Sequence, residues 1–174
     1  MGTIVHFQKI PSPQGNCVVM ATDGAIIWAS TPDGNAEEGK QWIQKHVSKE
    51  VEFVEKENSI LKKARKELGD FFSGKKTTFT GPFHFVGTPF QKAVWKEMMK
   101  IPYGEVITYK EMAKRIGMPN APRAVGGACR RNPIAILNPC HRIVGSNNSL
   151  TGYAGKTGIP TKKWLLELEK SLPS

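Results

Sequence analysis

Cys140 stands in NPCHRIV, residues 138–144, between Pro139 and the pair His141-Arg142. A cysteine is most often a small buried hydrophobe. Beside an imidazole and a guanidinium it is also a candidate nucleophile, because the thiolate is the reactive form and neighbouring cationic charge lowers a thiol pKa. His141 is then the candidate base. A Cys–His pair generally needs a third group to orient the ring. The C-terminal helical stretch TKKWLLELEK supplies two carboxylates for that role. Glu169 follows Leu165 by four residues, beside the apolar face, whereas Glu167 points to solvent.

These residues lie in the basic part of the chain. The 174 residues carry a net charge of +10. Residues 1–85 hold 11 Lys and Arg against 10 Asp and Glu, while residues 86–174 hold 14 against 5. An imbalance confined to one half argues for a polyanionic partner on that half, rather than for solubility alone. The apolar runs are too short to span a membrane, and the N-terminus MGTIVHFQKIPSPQG lacks the pattern of a secretory signal. The expectation is a soluble cytoplasmic protein, nuclear if eukaryotic. Cys17, Cys129 and Cys140 are odd in number and widely spaced, a poor disulfide framework. His6, His84 and Cys17 lack zinc-site spacing, so neither a metal nor a cofactor is expected.

The elements that must position the site fall in two groups, and the sequence is divided at 85/86. The first half is α/β: two β-rich runs joined by Asp23-Gly24, a helix near 37–46, the strand VEFVE, and a helix from Asn58 to Phe72. Residues 73–87 are turn-rich, with room for one more strand and the link between halves. This half is a supporting domain. The second half is mostly helical. Thr88-Pro89 opens one helix and Thr108 caps a second, with Glu111 placed to complete a capping box. A glycine turn at 117–119 leads to a third, from about 121 to 131, with Ala121, Ala124, Val125, Ala128 and Cys129 on one face. Two helices joined by a tight turn in a basic half suggest a helix-turn-helix. Gly126 and Gly127 sit inside the third helix, where each glycine costs about 1 kcal/mol relative to alanine. Either close helix packing or close approach of a nucleic acid accounts for them. In the second case Arg123, Arg130 and Arg131 would reach phosphates or bases. A purely DNA-binding regulator leaves PCHR unexplained, and a cysteine hydrolase leaves the charge unexplained.

The segment NPIAILNPCHRIV closely resembles the active-site signature of O6-alkylguanine-DNA alkyltransferases. PFQKAVWKEMMKIPYGEVITYKEMA, PRAVGGACRRNP, GYAG and KKWLLELE extend the resemblance over about residues 86–170. It implies an α+β protein: an N-terminal α/β domain with an antiparallel sheet (1–85) and a winged helix-turn-helix domain (86–174). It implies a monomeric, single-turnover methyltransferase that binds the minor groove of double-stranded DNA and flips the damaged base. The alkyl group of O6-alkylguanine, and by extension O4-alkylthymine, would pass irreversibly to Cys140. His141 would draw the thiol proton through a water, oriented by Glu169. Tyr109 would donate toward guanine N3, although it is equally the first residue of a buried helix face. Asn132 would brace the turn before the active-site segment. Lys162 matches a lysine near the active-site loop, or makes a surface salt bridge. Arg123 would fill the gap left by the flipped base, or touch a phosphate. Ala124, Gly126, Gly127 and Arg130 complete the DNA-binding helix. Tyr153 would wall the pocket with Gly155 on the same loop, the Ala154 amide would donate toward O6, and the carbonyls of Cys140 and Ile143 would accept from the guanine amino group. The family often has adjacent glycines after this loop, whereas here Lys156-Thr157 separate Gly155 from Gly158.

Overall fold

A computed structural model describes residues 2–150 and 158–170. The chain forms two compact units, one of residues 1–86 with 133–137 and the other of 87–132 with 138–174.

The first unit is built on a four-stranded sheet of order β3-β2-β1-β4, from β1 (Thr3–Ser12), β2 (Gly15–Ala21), β3 (Ile26–Ala29) and β4 (Val51–Glu55). Neighbours β1/β2 and β2/β3 are antiparallel, whereas β4 runs parallel to β1 along its outer edge. The Asp23-Gly24 turn forms as expected from its residues, with Thr22 Oγ1 accepting from the Gly24 and Ala25 amides. Strand β1 has no counterpart in the sequence reading. Its alternation is blurred by polar His6, Gln8 and Lys9, and Pro11 stands near its end.

Helix α1 (Ala36–His46) covers one sheet face, where Ile43 packs with Val5, Phe7, Val18, Met20 and Trp28. The side chain of Gln8 alternates with that of Phe7 and donates instead to the Leu61 carbonyl of α2 (Ser59–Phe72) on the other face. Leu61, Ala64, Leu68, Phe71 and Phe72 are buried, the face that their spacing predicts. Residues 74–87 add only a single bridge, Phe83 to Ile26, in place of a strand. Pro82 has no amide hydrogen with which to continue a ladder.

Residues 133–137 depart from the division at 85/86. Ala29 of β3 donates to the Pro133 carbonyl and accepts from the Ala135 amide, so this stretch of the second half belongs to the first unit. Ile134, Ile136 and Leu137 are buried there, and Ile136 is held at φ +67°, a costly conformation for a β-branched residue.

In the second unit α3 (Pro89–Met98) begins with a reciprocal capping box: the Gln91 amide donates to Thr88 Oγ1 and the Thr88 amide to the Gln91 side chain. Trp95 is buried and donates from Nε1 to the Ala128 carbonyl at 2.9 Å, tying α3 to α5 (Pro122–Arg130). Thr108 closes the two-residue strand β5 (Ile107–Thr108) and caps α4 (Tyr109–Arg115). Glu111 turns to Arg115. Gly117, at φ +78°, makes the turn into α5, as a left-handed position requires. Strand β6 (Ile143–Val144) pairs in parallel with β5, and α6 (Ile159–Leu168) closes the unit. Helix α5 buries Val125, Gly126, Ala128 and Cys129, while Ala124 is exposed. The apolar face therefore runs through Gly126 rather than Ala124. Among the described residues no helix is long and apolar enough to cross a membrane.

Candidate active site

Cys140, His141 and Arg142 form one 3-10 turn leading directly into β6. Pro139 precedes the turn and its carbonyl accepts from the Arg142 amide at 2.9 Å. All three side chains are buried. Burial pushes the Cys140 thiol pKa up; a hydrogen bond from Asn132 and the charge of Lys162 pull the other way. Asn132 follows the end of α5, where its amide donates to the Cys129 carbonyl. Its side-chain nitrogen donates to the Asn138 carbonyl at 3.0 Å, and that carbonyl also accepts from the Cys140 amide at 2.8 Å. Asn132 thus joins the end of α5 to the nucleophile's own turn.

The histidine is oriented from the end of α6. His141 Nε2 lies 2.6 Å from Glu169 Oε2. Burial favours the neutral ring, although Glu169 opposes this. The carboxyl group would itself be raised by burial, but hydrogen bonds and charge from His141 and Arg142 outweigh that and hold it at about 2. An ionised carboxylate only accepts. Nε2 therefore carries the hydrogen, which leaves Nδ1 as the ring's basic atom. Glu169 is buried and Glu167 exposed, as their positions relative to Leu165 imply.

Arg142 holds the same carboxylate. Its Nε is 2.9 Å from Oε1, its Nη2 is 3.0 Å from Oε2, and its Nη1 donates to the Ile101 carbonyl at 2.7 Å. The Gly104 amide adds a further donor to Oε1 at 3.0 Å. Sequence reasoning treated Arg142 only as charge beside the thiol. Its adjacency to His141 was the available signal, but only the tight turn aims both side chains at one carboxylate.

Lys162, on the first turn of α6, is fully buried rather than part of a surface salt bridge. Its Nζ donates to the Tyr109 hydroxyl at 3.3 Å and lies 5.5 Å from the centre of that ring. Burial lowers its pKa to about 8 despite the opposing effect of Cys140 and Cys129. Tyr109 is the first residue of α4, and Ile143 is buried in β6, paired with Ile107 of β5.

Tyr109 also lines an open cleft of about 470 Å³ with Arg123, Gly126 and Arg130. The rest of its wall includes Lys110, Pro119 of the turn, Pro122 at the start of α5, and Ser146, none of which sequence reasoning named as a site residue. Cys140, His141, Asn132 and Lys162 lie outside that wall. Arg123, Ala124 and Arg130 are exposed. A Cβ added at Gly126 or Gly127 would meet neighbouring atoms no closer than 3.7 Å, ordinary van der Waals contact. Packing within the protein does not require either glycine. Tyr153, Ala154 and Gly155 lie outside the described residues. Among the described residues no cluster of three or more His, Cys, Asp or Glu is disposed to hold a metal ion.

The family described as 6-O-methylguanine DNA methyltransferase, DNA binding domain, matches residues 89–171. A methylated-DNA–protein-cysteine methyltransferase of Mycobacterium leprae is 46% identical over 168 residues, covering 96% of this chain and 93% of its own. The chain belongs to the methylated-DNA–protein-cysteine methyltransferase family. A second such methyltransferase, from Methanosarcina acetivorans, is 44% identical over 85% of this chain and 93% of its own. The solved O6-methylguanine methyltransferase of Mycobacterium tuberculosis superposes with a TM-score of 0.79 at 36% identity, covering 98% of this chain and 96% of that one. The same mycobacterial protein in complex with DNA gives 0.78 at 37% identity, covering 95% and 93%. The family relationship therefore extends through the first unit, where the sequence motifs are weakest.

Proposed function

We propose that this methyltransferase repairs double-stranded DNA by moving the alkyl group of O6-alkylguanine onto Cys140, acting as a cytoplasmic monomer in a single turnover. The observation that carries this reading is the contact of His141 Nε2 with the Glu169 carboxylate at 2.6 Å, which assigns the hydrogen to Nε2 and leaves Nδ1 as a base on the residue next to Cys140. In the proposed step His141 takes the thiol proton through a water. The sulfur attacks the alkyl carbon, the S–C bond forms and the C–O6 bond breaks with its electron pair staying on the guanine. Tyr109, held by the Lys162 ammonium, delivers a proton toward guanine N3, so that a neutral base leaves. The imidazolium then gives its proton to solvent and the tyrosinate takes one back, so that overall one proton passes from thiol to base and one alkyl group from base to thiol. A thioether is not hydrolysed under these conditions, so the protein is consumed.

The O6 atom is out of reach inside a stacked duplex, so the base must be flipped. The α5 surface, with its arginines and two glycines, is the element suited to lie in the minor groove while Arg123 occupies the vacated stack. Tyr153, Ala154 and Gly155, with the Cys140 and Ile143 carbonyls, complete the base pocket in this scheme. The test is the intact mass of the protein after incubation with an O6-methylguanine duplex. A stoichiometric gain of one methylene, mapped to Cys140 and absent from Cys140→Ser, is the expected result. Tight lesion binding without a mass change would make the protein a damage sensor instead.

A further inference from the structure

The Glu169 carboxylate is shared between His141 and Arg142, and the turn at residues 101–104 grips that pair from a different part of the chain. The Ile101 carbonyl accepts from Arg142 Nη1 at 2.7 Å, and the Gly104 amide donates to Glu169 Oε1 at 3.0 Å. Gly104 is at φ +83°, a left-handed position that glycine adopts without strain. Between these two backbone groups stands Tyr103, half-buried. Its ring centre lies 5.9 Å from Arg142 Cζ, and its hydroxyl donates at 3.4 Å to the carbonyl of Leu168, the last residue of α6. None of these turn residues takes part in the transfer step itself.

How the carboxylate is divided matters for the base. Burial is the main influence keeping the His141 ring neutral; Glu169 favours the protonated ring, while the charges of Arg142 and Lys162 oppose it. Cys140, the adjoining titratable group, is the proton donor. Arg142 offsets the carboxylate through a fork, with Nε 2.9 Å from Oε1 and Nη2 3.0 Å from Oε2, and does so fully only in that orientation.

We propose that Tyr103 is a positioning residue for alkyl transfer: its ring, with the backbone of Ile101 and Gly104, holds Arg142 onto Glu169, so that His141 stays neutral and able to take the thiol proton. This rests on the DNA-repair reading. Without the ring, water reaches the guanidinium, the fork loosens, and more of the carboxylate charge acts on His141. The imidazole then keeps its proton to higher pH, and less of it is available as a base.

The test is the single-turnover rate of Cys140 methylation by saturating O6-methylguanine duplex, between about pH 5 and 8 where histidine titrates, in the full chain and its Tyr103→Leu, Tyr103→Phe and Arg142→Lys variants. The acid limb of Tyr103→Leu should lie about one pH unit above that of the wild type, with the two rates converging toward the top of the range. Tyr103→Phe keeps the ring against the guanidinium and should restore the wild-type limb. Arg142→Lys keeps a cation but not the fork, and should raise the limb as Tyr103→Leu does. The titration of the His141 ring, followed by NMR in the same proteins without DNA, should move with the limb. A merely structural role for Tyr103 would lower the melting temperature and scale the rate equally at every pH. That result, an unmoved His141 titration, or a Tyr103→Phe limb displaced as far as that of Tyr103→Leu would overturn the proposal. Failure of the repair reading would show separately, as a wild type that gains no methyl group while the NMR titration still decides the coupling.

Discussion

Glu169 receives His141, Arg142 and the Gly104 amide, and its pKa of about 2 has a consequence for acid stability. Because the folded value lies below the ordinary carboxylate value, Glu169 stabilises the fold at neutral pH. That contribution should be lost as pH falls from about 4.5 toward 2. Glu169→Gln should flatten this part of the stability profile and cost about 3–5 kcal/mol at neutral pH, since it leaves the buried Arg142 uncompensated; denaturant melts across pH check both. Lys162 has the opposite sign. With its pKa lowered to about 8 from 10.5, the unfolded chain binds more protons between those values, so stability from this group rises with pH across that window. Transfer should behave otherwise: the ammonium pulls the Cys140 thiol pKa down, and its loss above about pH 8 should slow methyl transfer. The alkaline limb should be absent in Lys162→Met, measured as single-turnover rate against pH. Arg123→Ala should slow repair of duplex far more than transfer from the free base, because only the duplex leaves a gap to fill. Equal losses on both substrates would remove Arg123 from that role.

At the scale of elements, α5 separates two demands that alanine substitution can test. Gly127→Ala introduces no close contact and should stabilise the helix by about 1 kcal/mol, the ordinary difference between glycine and alanine. If the glycine serves DNA, the same variant should bind duplex more weakly while melting higher; a variant that binds as well as wild type would leave the glycine without that purpose. Thr88→Ala should cost about 1 kcal/mol through loss of the α3 cap, with no effect on DNA affinity per folded molecule. The helices of both halves were legible because caps and apolar spacing are local: Asn58, Thr88 and Thr108 each accept from the backbone three residues on. The α5 face was legible only in part, since a buried glycine carries no apolar signal and Ala124 looks like core while facing outward. Strand β1 was missed because its order depends on pairing with β2 and β4, which no local pattern encodes. In the site, Glu169 was visible from its distance to Leu165. The role of Arg142 was not, because it depends on a three-residue turn and on a carboxylate 27 positions away in the chain.

For the whole molecule, residues 133–137 decide how the chain behaves when divided. They lie between Asn132 and Asn138, two residues of the nucleophile's own hydrogen-bond network, yet they complete the edge of the first unit's sheet beside Ala29. Expressed alone, residues 87–174 would carry Cys140, His141, Lys162 and Glu169 but expose Ile134, Ile136 and Leu137. That fragment is expected to aggregate, or to stay soluble with much slower methyl transfer, when compared with the full chain by sedimentation and by labelling of Cys140. A cut at 86/87 therefore makes two pieces that need each other. If 1–86 and 87–174 are mixed, recovery of methyl transfer at Cys140 would report their reassociation, and the strand position beside β3 would act as the docking slot for the second fragment.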